Sequence, residues 1–124
     1  MMSKRVLLVD DEDDIREVAQ VSLEMVGGWT IYTANCGSMG IEVAAKEKPD
    51  AILLDVMMPD MDGPTTFQRL QERDDTRGIP VILLTAKVQA ADKKRFEELG
   101  VSGLIPKPFD PMTLSEQVSA TLGW

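Results

Sequence analysis

The sequence has 124 residues, an ordinary size for one domain, and we expect residues 1–124 to fold as a single one. Its 21 acidic and 13 basic residues give a net charge of −8, which disfavours direct nucleic-acid binding because a phosphate backbone would be repelled. The chain has no histidine and one cysteine, which excludes Ser-His-Asp and Cys-His catalysis, histidine metal centres and an intramolecular disulfide within it.

Five short apolar or β-branched runs alternate along the chain with five segments of helical period. The predicted strands are Arg5–Val9, Trp29–Ala34, Ala51–Val56, Pro80–Thr85 and Gly103–Ile105. The predicted helices are Asp14–Val26, Ser38–Lys48, Thr65–Arg73, Ala90–Leu99 and Pro111–Leu122. The first, third and fourth strands are continuously apolar, which is typical of central strands with helices on both faces. The pattern predicts a doubly wound α/β fold around a parallel sheet.

Polar residues stand where these predicted strands end. Asp10 and Asp11 follow the first strand, Asp55 lies in the third, Thr85 ends the fourth and Lys107 follows the fifth. Each residue alone has an ordinary structural explanation, such as a helix cap, a turn or a solvated surface position. Together they indicate a site, because ligands of open parallel sheets bind outside the carboxyl ends of the strands.

The residue types at this edge indicate phosphoryl chemistry. Three neighbouring carboxylates repel one another unless a cation lies between them or one is protonated. Oxygen ligands without histidine or cysteine favour Mg²⁺ or Mn²⁺, and less specifically Ca²⁺. Lys107 adds a positive group that can pair with a phosphoryl oxygen.

Four stretches of the sequence resemble the response-regulator receiver family, especially its stand-alone chemotaxis-type members. They are Val6–Glu12, Pro49–Gly63, Ile79–Ala86 and Lys107–Phe109, and they follow one another in the family's order over nearly the whole chain. The resemblance implies a flavodoxin-like fold with strand order 2-1-3-4-5. It also implies a signalling switch controlled by phosphorylation, rather than an enzyme.

The resemblance further assigns a metal site and a phosphoacceptor. It implies that Asp55 accepts the phosphoryl group and that Asp11, Asp55 and the backbone carbonyl of Met57 ligate Mg²⁺, with Mn²⁺ as an alternative. Asp10 would help to hold the metal directly or through water. Lys107 would pair with the phosphoryl group and would precede a cis peptide bond to Pro108.

Other residues are expected to carry the signal onward. Thr85 would move to hydrogen-bond the phosphoryl group, and the small Ala86 would leave room for the donor. Met57 and Lys87 would border the group and influence how water reaches it. Leu104 stands where the family usually has an aromatic residue, so we expect a weakened or different coupling to the movement of Thr85.

The resemblance implies partners outside this chain. Because histidine is absent, the phosphoryl donor must be a sensor histidine kinase, a phosphotransfer protein or a small molecule such as acetyl phosphate. Output would use the face formed by the fourth helix, fifth strand and fifth helix, about residues 89–122. The sequence up to Trp124 contains no DNA-binding or catalytic segment, so we expect output through docking to another protein. We expect the domain to be a cytoplasmic monomer that does not insert into membranes.

Three functions other than a phosphorylation switch were compared with the sequence. A phosphatase of the haloacid dehalogenase type also uses an aspartate after strand 1, but Asp14-Ile15 does not continue its motif. A flavodoxin-type flavin module needs a phosphate loop where this chain has the acidic run Asp10–Asp14, which would repel the flavin phosphate. A receiver-like adaptor that acts without phosphorylation is the remaining alternative, and Leu104 gives it some support.

Overall fold

The computed structural model describes residues 4–86 and 89–124, which form a parallel five-stranded sheet with helices on both faces. The strands are β1 (Arg5–Val9), β2 (Thr30–Ala34), β3 (Ala51–Asp55), β4 (Val81–Thr85) and β5 (Gly103–Pro106). The helices are α1 (Asp13–Met25), α2 (Gly37–Glu47), α3 (Gly63–Gln71), α4 (Ala90–Leu99) and α5 (Leu114–Leu122). The strand order is 2-1-3-4-5, which confirms the predicted fold class.

The three continuously apolar strands are the central ones, as predicted. Neighbouring residues of β1 point to opposite faces of the sheet and enter two separate cores. Leu7 packs in the cluster that contains Phe67 of α3. Leu8 packs in the cluster that contains Leu23 of α1 and Val118 of α5. Both faces of the sheet are therefore closed, and the ends of the strands carry the polar residues.

Most predicted element bounds differ from the structure by one or two residues, and the start of α5 differs most. We predicted that this helix begins at Pro111, but it begins at Leu114. Asp110 accounts for the difference, because its Oδ1 accepts a hydrogen bond from the Met112 N–H and its carbonyl accepts one from Thr113 N–H. These bonds form a turn that satisfies the backbone before the helix starts.

The sequence of α1 contains an apolar stripe, which is only partly buried and consists of Ile15, Val18, Ala19, Ser22 and Leu23. Ala19, Ser22 and Leu23 are buried, as expected for a stripe that faces the core, but 47% of Val18 is exposed. Val18 lies at the solvent edge of the stripe, because it is rotated by about 100° from the buried Ala19. α1 has 13 residues, and none of the helices in the described ranges has the length and apolar character required to cross a membrane.

Candidate functional site

The sheet brings the predicted site residues to one edge because all of its strands run in the same direction. Asp10 follows β1, Asp55 is the last residue of β3, and Thr85 is the last residue of β4. Asp55 is in register with Leu84, one residue before Thr85, so the two polar residues end neighbouring strands. Lys107 follows β5 and its backbone N–H donates to the Thr85 carbonyl at 2.9 Å.

Backbone hydrogen bonds fix Asp10 at the centre of this edge. Its N–H donates to the Ala34 carbonyl on β2 at 3.1 Å, and its own carbonyl accepts a bond from Arg16 at 2.9 Å. Its Oδ1 accepts a hydrogen bond from the Glu12 N–H at 2.9 Å. Asp10 is fully buried, so its carboxylate can turn only towards the other groups of the site.

Lys107 lies among the acidic side chains and is only 12% exposed. Its Nζ lies 3.0 Å from Asp10 Oδ2, 3.1 Å from Asp55 Oδ1 and 3.5 Å from Glu12 Oε1. The Lys107–Pro108 peptide bond is cis, which confirms that expectation. The lysine therefore links the ends of β1, β3 and β5 through charge.

Burial and charge change the proton affinity of two groups in this cluster. Burial and, after it, the negative charge of Asp10 raise the pKa of Asp55, Lys107 acts against both, and the net result is a pKa of about 6. Burial alone would lower the pKa of Lys107, but hydrogen bonding and charge from Asp10 and Asp55 outweigh it and raise that pKa. Asp55 is thus a carboxyl group whose ionisation depends on nearby positive charge.

The donor set fits a hard divalent cation. Asp10, Asp11, Glu12 and Asp55 each offer a carboxylate oxygen, and these oxygens lie within 4.8 Å of one another. Asp11 Oδ1 and Asp55 Oδ2 are buried and have no hydrogen-bond partner in the part of the chain that the structure describes. Buried polar atoms are normally satisfied, so these two oxygens lack a partner of the kind that a bound cation would supply. Carboxylate oxygens without nitrogen or sulfur ligands suit Mg²⁺.

The loop after Asp55 returns close to the site. A 2.9 Å hydrogen bond from the Gly63 N–H to the Val56 carbonyl joins the two ends of this loop. A Cβ atom at Gly63 would lie 2.6 Å from the Asp55 carbonyl oxygen, so only glycine permits this approach. Met57 lies in the loop with 64% of its surface exposed, next to the end of β3.

Thr85 and Leu104, two further residues predicted to take part in the switch, lie on β4 and β5. Thr85 is buried at the end of β4, and Leu104 packs against a core cluster beside that strand. Lys87 lies outside the described residues. We assigned no role to Glu12, although it contacts Lys107; its place in the acidic run after β1 was the available signal.

Comparison with known proteins matches residues 6–119 to the family model of the response regulator receiver domain. The alkaline phosphatase synthesis transcriptional regulatory protein PhoP of Bacillus subtilis is 39% identical over 121 residues, which are 98% of this chain and 49% of that protein. The first curated relatives are aligned over 45% to 53% of their lengths. The chain therefore spans about half the length of the curated relatives it matches.

Solved structures that are similar to this chain also include receiver domains. The Vibrio cholerae chemotaxis protein CheY4 has a TM-score of 0.89 and 28% identity, over 97% of this chain and 99% of that one. A sensor histidine kinase receiver domain from Pseudomonas aeruginosa, described with magnesium in its active site cleft, has a TM-score of 0.85, with 99% and 100% covered. At 24% identity it bears on the fold alone. The chain belongs to the response regulator receiver domain family of two-component signalling systems.

Proposed function

We propose that this receiver domain is a switch that accepts a phosphoryl group on Asp55. The observation that supports this most strongly is the setting of the Asp55 carboxylate, which is buried with one oxygen 3.1 Å from Lys107 and the other without a hydrogen-bond partner among the described residues. A carboxylate that only forms a turn or caps a helix needs neither burial nor a buried lysine beside it. A bound cation would supply the partner that this buried oxygen lacks.

Asp10, Asp11, Asp55 and the Met57 carbonyl would hold the cation, with Mg²⁺ as the proposed ion and Mn²⁺ as the alternative. Bound Mg²⁺ supplies positive charge that stabilises the carboxylates together and offsets charge on a transferring phosphoryl group. The two buried carboxylate oxygens without hydrogen-bond partners support this proposal. The magnesium described for the Pseudomonas aeruginosa receiver domain gives it a precedent within the same fold.

The proposed transfer starts from a phosphohistidine on a sensor histidine kinase or phosphotransfer protein. An Asp55 oxygen attacks phosphorus in line, an O–P bond forms and the N–P bond breaks, and the released imidazole takes a proton from solvent. Lys107, already 3.1 Å from Asp55, pairs with a phosphoryl oxygen. Water later hydrolyses the acyl phosphate, which releases inorganic phosphate and restores the carboxylate, so Asp55 is a resettable acceptor rather than the nucleophile of an enzyme with free substrates.

The proposed output is a change in protein docking on the face formed by α4, β5 and α5. Thr85 would turn towards the new phosphoryl group. Leu104 of β5, which is in register with Leu83 of the neighbouring strand β4, would then repack. Because Leu104 is smaller than an aromatic side chain, this movement is expected to be small. The domain would act as a cytoplasmic monomer, and its net charge of −8 argues against DNA contact by these residues.

Intact-mass spectrometry tests the proposed acceptor. The protein is incubated with acetyl phosphate and MgCl₂, alongside Asp55→Asn and a sample containing a metal chelator. We expect a single phosphoryl adduct on the parent protein and none on the variant or the chelated sample. An adduct on Asp55→Asn would place the acceptor elsewhere. If the parent acquires none from acetyl phosphate or from a panel of phosphorylated histidine kinases, the adaptor function replaces the switch.

A further inference from the structure

Lys107 must change partners if a phosphoryl group is to use it. A lysine ammonium group has three N–H donors, and the three nearest carboxylates are those of Asp10, Asp55 and Glu12. A phosphoryl oxygen that pairs with Lys107 must therefore displace one of these contacts. The three contacts differ in how easily they can be given up.

Glu12 is the partner that Lys107 can release most easily. Its side chain is 58% exposed, whereas those of Asp10 and Asp55 are 0% and 4% exposed. Its distance from Lys107 is also the longest of the three, at 3.5 Å. A carboxylate that is already half solvated regains water when its contact breaks, whereas a buried one would be left without a partner.

The side chain of Glu12 takes no part in capping the helix that follows. Glu12 occupies the N-cap position of α1, but its side chain makes no capping hydrogen bond. The next acid, Asp13, pairs instead with Arg16 at 2.6 Å. The Glu12 carboxylate turns towards Lys107. Because Glu12 is 58% exposed and Lys107 only 12%, Glu12 lies on the solvent side of the lysine, which we call the opening of the site.

We propose that Glu12 is a positioning residue that occupies Lys107 until a phosphoryl group displaces it, and that its charge at the opening disfavours small, highly charged phosphodonors. This inference rests on the proposed phosphorylation of Asp55. An approaching donor meets the charge of Glu12 before it reaches the lysine. The repulsion grows with the negative charge on the donor and is screened by salt. Glu12 thereby favours donors whose phosphoryl group is delivered by a docked protein.

The test compares the rates at which Glu12→Gln and the parent protein acquire a phosphoryl adduct. We expect the variant to react about three- to tenfold faster with doubly charged acetyl phosphate at low salt, because one repulsive charge beside the path is removed. The gain should be smaller with singly charged phosphoramidate. It should also shrink as NaCl rises from about 0.02 M to about 0.5 M, since the Debye length shortens over that range.

Two further variants separate this effect from general charge and from folding. Glu24→Gln removes one negative charge from an exposed position at the other end of α1 and should react at the parental rate. Glu12→Asp keeps the charge and should keep the parental ratio between the two donors. Calorimetric titration with MgCl₂ alone fixes a saturating metal concentration for every variant.

The outcomes distinguish this inference from the proposed function. An adduct on the parent protein with equal rates for Glu12→Gln and Glu24→Gln would overturn the role of Glu12 and leave the phosphoacceptor intact. A large loss of Mg²⁺ affinity in Glu12→Gln would make Glu12 a metal ligand and would also overturn it. Absence of any Asp55 adduct on parent and variant alike would overturn the proposed function, and this inference with it.

Discussion

Asp55 is a buried carboxyl group in a setting that favours its neutral form when no cation is bound. Its pKa is raised to about 6, first by burial and then by the charge of Asp10. The folded protein therefore retains this proton to a higher pH than the unfolded chain does. By linkage, the group's effect on stability becomes less favourable as pH rises from about 4 to about 6 and is constant above that range.

Replacement of Asp55 by Asn should stabilise the metal-free protein. At pH 7.5 we expect Asp55→Asn to raise the free energy of unfolding by about 1–3 kcal/mol, because it removes a charge that the fold holds unfavourably. Urea denaturation in the presence of a metal chelator measures the change. Near pH 4 the gain should largely disappear, since Asp55 is then protonated in the parent protein.

Asp60→Asn is the matched control for that measurement, because Asp60 is an exposed acid in the loop after β3. It should change the free energy of unfolding by less than about 0.5 kcal/mol. An Asp55→Asn protein that is less stable than the parent at pH 7.5 would contradict the account of Asp55 as a repelled buried charge.

Lys107 opposes the repulsion among the carboxylates that surround it. Lys107→Met should therefore lower the free energy of unfolding of the metal-free protein by about 2–4 kcal/mol, because it leaves Asp10 and Asp55 without their positive partner. Millimolar MgCl₂ should recover part of the loss, since a bound cation supplies positive charge to the same oxygens. Thermal unfolding with and without MgCl₂ measures both effects.

Lys46→Met serves as the control for Lys107, because Lys46 is an exposed lysine on α2. It should leave the unfolding temperature nearly unchanged in both conditions. Equal unfolding temperatures for Lys107→Met and the parent protein would show that the lysine does not hold the acidic cluster together.

The gathering of Asp10, Asp55 and Lys107 could be predicted because the strand that precedes each residue is recognisable from the sequence. The contact between Glu12 and Lys107 could not be predicted in the same way. It depends on the turn after β1 and on the rotamer of a long, exposed side chain, and neither follows from hydrophobic periodicity. Side-chain distances between loops are therefore the part of the site that required a structure.

Helix α3 shows how one capping residue sets the start of an element beside the site. We predicted that the helix begins at Thr65, but it begins at Gly63. Asp62 accepts a hydrogen bond from the Thr65 N–H at 2.8 Å, and Pro64 stands in the first turn, where its missing N–H has no consequence. Asp62 is therefore the N-cap of α3.

Loss of this cap should be measurable as a loss of stability. Asp62→Ala is expected to lower the free energy of unfolding by about 1 kcal/mol, since it leaves an N–H of the first turn unsatisfied. Asp60→Ala, in the same loop, should have a much smaller effect. Urea denaturation at neutral pH compares the two, and equal effects would argue that Asp62 stabilises the loop only through its charge.

The accuracy of the predicted elements follows the clarity of the local signals. α4 was predicted with its observed bounds, Ala90–Leu99, because Gly100 ends it in the left-handed conformation that glycine adopts readily. α5 was predicted three residues too early, because the turn formed by Asp110 competes with the helix over residues that also have helical periodicity. Competing side-chain bonds to the backbone are weakly represented in hydrophobic patterns.

The molecule as a whole was the most predictable level of this structure. Continuous apolar strands separated by helices leave few arrangements other than a parallel sheet covered on both faces. That sheet places every strand's carboxyl end at one edge, and the acidic groups and Lys107 lie there because each follows or ends a strand. The fold thus determines the position of the site, while the loops determine how its charges contact one another.

Phosphorylation at Asp55 can be located by chemical reduction of the modified protein. Borohydride converts an aspartyl phosphate to homoserine, which tandem mass spectrometry of proteolytic peptides identifies by position. After incubation with acetyl phosphate and MgCl₂, homoserine should appear at position 55, and it should be absent when donor or metal is omitted. Homoserine at Asp10 or Asp11, or conversion that does not depend on metal, would contradict the proposed switch.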